Sequence, residues 1–332
     1  IIDPGIKIDK EYSVYKEALE KDYFCKRADG PYMKGKVWPG ECNFPDYTNP
    51  VVREWWAGLF QELISDIGVK GVWNDMNEPA VMEVPNKTFP MDVRHVYDGN
   101  PCSHRKAHNI YGMQMARATY HGVKRFSYPK RPFVITRSAY SGTQRYTSSW
   151  TGDNVATWEH LWIANIQVQR MCISGMGFTG SDIGGFAEQP SGELYARWIQ
   201  LGVFHPFCRT HSSGDHGNQE PWAFDEEVID ITRKFVSLRY QLLPYLYTMF
   251  WQYIEEGIPM LKPLVYFDQE DTQTHYRNDE FIFGNQILVC PILEPNSLGR
   301  RMYIPRGQWY NYWTNELISG GKEIWVDTKF DQ

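Results

Sequence analysis

Residues 49–78 read NPVVREWWAGLFQELISDIGVKGVWNDMNE, and the fold class follows from how this stretch changes its period half-way. Asn49, or Thr48 before it, can cap a helix, Pro50 suits its first turn and Gly68 its stop, which predicts a helix over about 49–67. Val52, Trp55, Trp56, Leu59, Leu63 and Ile67 recur at helical spacing and give that helix one buried face. The apolar run Val69–Trp73 follows at once and reads as a buried strand, released into the polar cluster Asn74-Asp75-Met76-Asn77-Glu78. Helix, glycine turn, buried strand and polar strand end make up the repeating unit of a parallel barrel.

The unit recurs along the chain. A helix over about 107–124 precedes the strand Pro132–Thr136, which ends at Arg137-Ser138, and a short strand near Thr147–Thr151 ends at Gly152-Asp153-Asn154. A helix over about 158–174 leads to Gly177-Phe178-Thr179 and then Asp182. A helix over about 193–202 leads to the strand Phe204–Cys208, ending at Arg209-Thr210-His211. With Ile1-Ile2-Asp3, six strands release a polar residue at their carboxyl ends. The expected class is therefore α/β, a (β/α)8 TIM barrel over residues 1–256 without its first two strands, with its active site at those ends. Ile1-Ile2-Asp3-Pro4 reads as the middle and exit of a buried strand, so the chain is expected to be a fragment, with any targeting segment upstream. Asp225 is expected to cap a helix reaching about Glu255, kinked at Pro244. After Gly257 the short apolar runs Leu264–Phe267, Phe281–Phe283, Ile287–Val289, Met302–Ile304 and Trp309–Trp313 predict an all-β sandwich over 257–332. The polar insertion Pro85–His108 stands where barrel enzymes place substrate-shaping loops.

Composition narrows the function. Net charge is −6 with no basic block, which argues against a polyanionic partner such as nucleic acid, and no apolar stretch approaches a membrane span. With 13 Trp, 21 Tyr and 17 Phe the chain has many flat rings able to stack on sugars, although most must serve the core. The six cysteines show no zinc spacing; Cys25 and Cys42 flank one loop and could form a bridge, while Cys172 and Cys208 read as small core residues. His205, His211, Asp215 and His216 are close in sequence but lack tight ligand spacing, so they read as loop or hydroxyl-binding groups, and neither a metal nor a cofactor is expected. Asn86-Lys87-Thr88 is an isolated glycosylation sequon.

Two carboxylates stand at the ends of different strands, Asp75 after a buried run and Asp153 after Trp150-Thr151-Gly152. Cleaving a glycosidic bond needs such a pair, one ionised and one protonated. Each also reads as a strand-end turn residue, and Gly-Asp-Asn in particular is ordinary turn chemistry.

Trp73-Asn74-Asp75-Met76-Asn77-Glu78 resembles the nucleophile signature of glycoside hydrolase family 31. Arg137-Ser138, Gln144-Arg145-Tyr146 and Trp150-Thr151-Gly152-Asp153-Asn154 resemble its acid/base region, and Gly180–Phe186 and Arg209-Thr210-His211 its later sugar-binding segments. The resemblance implies an α-glucosidase acting with retention on an oligosaccharide or α-glucoside. Asp75 would form the covalent glucosyl intermediate and Asp153 would be the acid/base. Arg137, Asp182 and His211 would bind hydroxyls of the terminal glucose, Trp73, Met76, Trp150 and Phe186 would wall its site, and Arg209 would support the pocket by pairing with Asp182. Asp-Met at 75–76 resembles the α-glucosidase branch rather than the α-xylosidase branch. Another specificity of the family, α-xylosidase or transglucosylase, and a non-catalytic sugar- or partner-binding protein on the same barrel are the alternatives. Members also carry a β-sandwich and a sugar-binding Asp before the region matched here, so the remaining N-terminal part of a parent protein is an expected partner. The same resemblance favours a periplasmic, extracellular or secretory setting.

Overall fold

The computed structural model describes Ile1–Gln332, and the chain gathers into two compact units, Ile1–Ser149 and Trp150–Gln332.

In the first unit the helix Pro50–Gly58 starts as its sequence implies. The Asn49 side chain accepts the Val51 N–H at 3.0 Å, and Pro50 occupies the first turn. It does not run straight to Ile67. A wide π-turn over Glu62–Asp66 takes over, with the Ile67 N–H donating to the Glu62 carbonyl at 2.9 Å. Side chains four apart drift by about 40° per step around an α-helix, and a wider turn takes that drift back, so Trp56, Phe60 and Ile64 all stay in the core. Trp55, Leu59 and Leu63 are in consequence only partly covered, and Ile67 is exposed.

The strand Val72–Asn74 is flanked by Ile2 on one side and by Val134–Thr136 on the other, and Ile135 and Thr136 pair in turn with Ser148 and Ser149, all in parallel. These strands are shorter than their apolar runs. The long return helix His104–Ser127 lies so close to Pro50–Gly58 that a Cβ on Gly122 would stand 2.6 Å from the Ala57 carbonyl oxygen. Tyr47 joins the two helices to the core, edge-on to Trp56 at 5.1 Å and to Tyr111 at 5.3 Å.

The insertion 85–108 is pinned rather than loose. Asp46 accepts the Val96 N–H at 2.7 Å and the Thr48 hydroxyl at 2.6 Å, and lies 3.0 Å from His95 Nδ1. A chain of imidazoles continues outward from His95 to His104 at 2.9 Å and from His104 to His108 at 3.0 Å. Burial alone would raise the Asp46 carboxyl, but its bonds to His95, Thr48 and Val96 hold it below its usual value. Burial, with His95 and His108 beside it, depresses the His104 imidazole to about 3. Cys25 and Cys42, which could have bridged, are buried and free: Cys25 Sγ faces the Pro45 carbonyl and His95, while Cys42 sits in the strand Gly40–Asn43, paired with Lys7 and Gly35.

The second unit is built on the helices Trp158–Ile173, Gly192–Gly202 and Glu226–Gln241, capped by the side chains of Thr157, Ser191 and Asp225. Leu161, Tyr195, Trp198 and Leu201 are fully buried among them. The helix expected to kink at Pro244 instead stops at Leu242 and restarts as Leu243–Glu256, because proline is tolerated in a first turn, where its missing N–H has no partner to lose. Asp182–Ile183 runs parallel to Arg209–Thr210, with Asp182 opposite Arg209. The strand expected at Phe204–Cys208 is a turn. Pro206 has no N–H for a ladder, and the Arg239 guanidinium donates to the carbonyls of Val203, His205 and Pro206 at 2.5–2.8 Å, leaving the Phe207 N–H to donate to the Thr179 carbonyl at 3.0 Å. Past Gly257, Leu261–Pro263, Phe281–Phe283 and Ile287–Val289 form an antiparallel sheet, and Gly299–Ile304 pairs with Lys322–Asp327 and Gln308–Tyr310 with Leu317–Ser319. Leu264–Phe267 is a helical turn, not the expected strand; a short apolar run has no period of its own to tell the two apart.

His205 is fully buried in this unit, and neither ring nitrogen has a hydrogen-bond partner. Burial first, and the Arg239 charge second, lower it from 6.5 to about 3. The unfolded chain therefore takes up a proton that the folded chain refuses between those values, and acid favours unfolding throughout that window. Between about pH 6 and about pH 4, urea melts of wild type should lose about 1.4 kcal/mol more per pH unit than those of His205→Leu. Parallel slopes would contradict the neutral buried imidazole.

Candidate active site

In the first unit the carboxyl end of Val72–Asn74 delivers Asp75, whose N–H donates to the Ile2 carbonyl at 3.1 Å. The next residue, Met76, is buried in a left-handed conformation at φ 55°, which turns the chain sharply away from the strand. Asn77 locks that turn. Its side-chain Nδ2 donates to the Thr136 hydroxyl at 2.9 Å and its side-chain Oδ1 accepts the Ser138 N–H at 3.0 Å. The backbone passes so near the return helix that a Cβ on Gly112 would stand 2.5 Å from the Asn77 carbonyl oxygen, so only glycine fits there.

Arg137, at the end of the neighbouring strand, reaches across to this turn. Nη1 lies 3.3 Å from Asp75 Oδ1, while Nε and Nη2 each donate to the Glu78 carboxylate at 2.9 Å. Nη2 also lies 3.0 Å from Met76 Sδ. Arg137 and Asp75 are both less than one-fifth exposed, with side chains at 18% and 19%, so their attraction is only partly screened. Two acids here carry no role in the sequence reading. Glu78 stood inside the quoted signature, and its bidentate grip fixes the guanidinium. Asp3, half-buried on the adjoining strand, is raised to about 6 by burial first and then by the negative charge of Asp75. The signal for Asp3 was present, since Ile1-Ile2-Asp3 repeats the pattern of a buried run ending in an acid.

In the second unit Trp150 is buried, and Asp153 follows Gly152 on an exposed turn. Asn154 holds that turn to the next strand: its amide donates to the Asp182 carbonyl at 2.9 Å, and its side-chain oxygen accepts the Phe186 N–H at 2.8 Å. Asp182 is fully buried and receives Arg209 Nε at 2.8 Å, the pairing expected for Arg209, brought about by their direct opposition on parallel strands. The Arg209 guanidinium also lies over the Trp150 ring at 5.0 Å. Phe186 and His211 rest ring to ring at 5.3 Å and 32°. Burial first, then the Arg209 charge, lower the His211 imidazole, with Asp153 opposing. A neutral ring can both donate to and accept from a hydroxyl.

Each unit thus collects its own share of the sequence candidates: Trp73, Asp75, Met76 and Arg137 in the first, and Trp150, Asp153, Asp182, Phe186, Arg209 and His211 in the second. His205 is removed from His211 into the core. Cys25, Asp46 and His95 bring possible metal-ligand atoms within 4.8 Å of one another, but the contacts on the Asp46 carboxylate are those of a satisfied hydrogen-bond network.

Residues 1–249 match the Glycosyl hydrolases family 31 TIM-barrel domain, and 257–332 match the Glycosyl hydrolase family 31 C-terminal domain. The chain belongs to glycosyl hydrolase family 31. The fold class read from the strand-end pattern, a TIM barrel followed by a domain of β-strands, is that of this family. Alpha-glucosidase 2 of Bacillus thermoamyloliquefaciens is 46% identical over 97% of this chain and 41% of its own. The solved glucosidase II alpha subunit in its DNJ-bound form superposes with a TM-score of 0.94 at 36% identity, over 100% of this chain and 36% of that one. The Flavobacterium johnsoniae GH31 dextranase complexed with glucose gives 0.91 at 30%, over 99% and 41%. The family 31 chain described here therefore spans about two fifths of the length of that Bacillus relative.

Proposed function

We propose that this chain is the catalytic part of a retaining, exo-acting α-glucosidase that removes terminal α-linked glucose from oligosaccharides. The observation that carries the reading is Asp75, at a strand end of a family 31 barrel, 3.3 Å from a guanidinium that Glu78 holds in place. A fixed cation beside it favours the carboxylate form that a nucleophile needs. Relatives named as α-glucosidases support the substrate class.

In the proposed cycle an Asp75 oxygen attacks the anomeric carbon as the glycosidic bond breaks, and Asp153 gives its proton to the departing oxygen. Asp153 then takes a proton from water, whose oxygen displaces Asp75 and restores the original configuration. The two groups would need to act from opposite sides of one anomeric carbon. Arg137, Asp182 and His211 bind hydroxyls in this reading, Trp73, Met76, Trp150 and Phe186 form the apolar wall, and Arg209 keeps the buried Asp182 charged and oriented. We further propose that residues 1–256 serve as the barrel and 257–332 as its sandwich domain, and that polypeptide preceding the matched region completes the enzyme, since the relatives are longer.

The full-length gene product, given a p-nitrophenyl α-glucoside, should release the α-anomer of glucose first, as read by proton NMR. Initial release of the β-anomer would overturn retention. Binding of the glucoside without turnover would favour a non-catalytic sugar binder.

A further inference from the structure

Asp75 has a second carboxyl beside it that the proposed cycle leaves unused. Ile2 pairs in parallel with Asn74, through Ile2 N–H to the Trp73 carbonyl at 2.8 Å and Asp75 N–H to the Ile2 carbonyl at 3.1 Å. The following residues, Asp3 and Asp75, therefore stand side by side on adjacent strands, whose backbones run about 5 Å apart. Side chains at paired positions of parallel strands leave on the same face. Around them stand Glu78 and Arg137, and the Cys42 thiol and Tyr47 phenol are near enough to feel the Asp3 charge. One guanidinium thus serves three carboxyls, and Glu78 already takes two of its N–H groups.

We propose that Asp3 is a positioning residue for the nucleophile, its charge state deciding how readily Asp75 attacks. This rests on the assignment of Asp75 as nucleophile. With Asp3 ionised, two like charges on neighbouring strands raise the energy of the resting site. That repulsion is relieved as Asp75 spends its charge on the bond to the anomeric carbon and positive charge grows on the sugar ring. With Asp3 protonated by solvent, the repulsion is absent from the start, and its O–H is available to donate to the neighbouring carboxylate, drawing electron density from the attacking oxygen. Acid therefore slows the covalent step before Asp75 itself takes up a proton. The carboxyl value of about 6 for Asp3 places this change within an ordinary assay range.

The test is the pH dependence of covalent trapping in the full-length gene product, using a fluorinated glucosyl fluoride and mass spectrometry of the peptide that carries Asp75. Wild type should lose trapping rate below about pH 6. Asp3→Asn, which keeps the shape and removes the charge, should trap ~10-fold more slowly at high pH and should have its acid limb displaced downward by at least about one pH unit. An unchanged limb and plateau in Asp3→Asn, with Asp75 still labelled, would overturn the role of Asp3 alone. Absence of label on Asp75 in wild type would overturn the nucleophile assignment and this inference with it. Should Asp3→Asn fold poorly, infrared titration of the wild-type carboxyl decides: a midpoint near 6 is expected, and one below about 4.5 would contradict the proposal.

Discussion

Asp75→Asn in the full-length protein should lower kcat on a p-nitrophenyl α-glucoside by ~10,000-fold or more while leaving the melting temperature almost unmoved. The amide has the shape of the carboxylate but no charge to form an ester with the anomeric carbon, so the two-step route is closed rather than slowed. The fold should tolerate the change because Arg137 keeps both of its bonds to Glu78, and Asn77 goes on tying the turn to Thr136 and Ser138. Loss of the 3.3 Å contact to Asp75 then leaves no buried cation without a partner. A variant that turns over within tenfold of wild type would remove Asp75 from its role. One that loses activity together with a cooperative melt would show a structural residue instead.

Asp153→Ala should divide substrates by their leaving groups. Oligosaccharides and alkyl glucosides, whose departing oxygen needs a proton, should slow by ~100- to 10,000-fold, whereas glucosyl fluoride should lose far less in the first step. Added azide, a nucleophile that needs no base, should then restore the second step and yield a glucosyl azide. The strand end should stay in place. Asp153 is exposed, and the neighbouring strand end is held by Asn154 through Asp182 and Phe186, contacts that do not use the Asp153 side chain. Equal losses for good and poor leaving groups, with no response to azide, would assign the acid/base to another residue.

Local signals were enough for much of the architecture. The caps at Asn49 and Asp225 hold where their residue types placed them, because a cap is a bond between residues two or three apart. Long helices were legible for the same reason, since 3.6-residue periodicity accumulates over several turns. Three-residue strands carry almost no period. The runs at Phe204–Cys208 and Leu264–Phe267 accordingly read as strands, whereas the distant Arg239 and a helical turn after Pro263 decide otherwise. The π-turn at Glu62–Asp66 was invisible because it answers to the packing of Phe60 and Ile64 against the rest of the core.

By itself the sequence determined that buried runs alternate with helices, that each run ends on a polar residue, and that Asp75 and Asp153 stand at two such ends. All of these are properties of short, contiguous stretches. Tertiary structure alone decided what surrounds those residues: Glu78 gripping Arg137, and Asp3 brought beside Asp75 from more than seventy positions away. Charges act through distance in space and through burial. Neither is written in a linear order of side chains until parallel strands lay remote residues side by side and take them out of water.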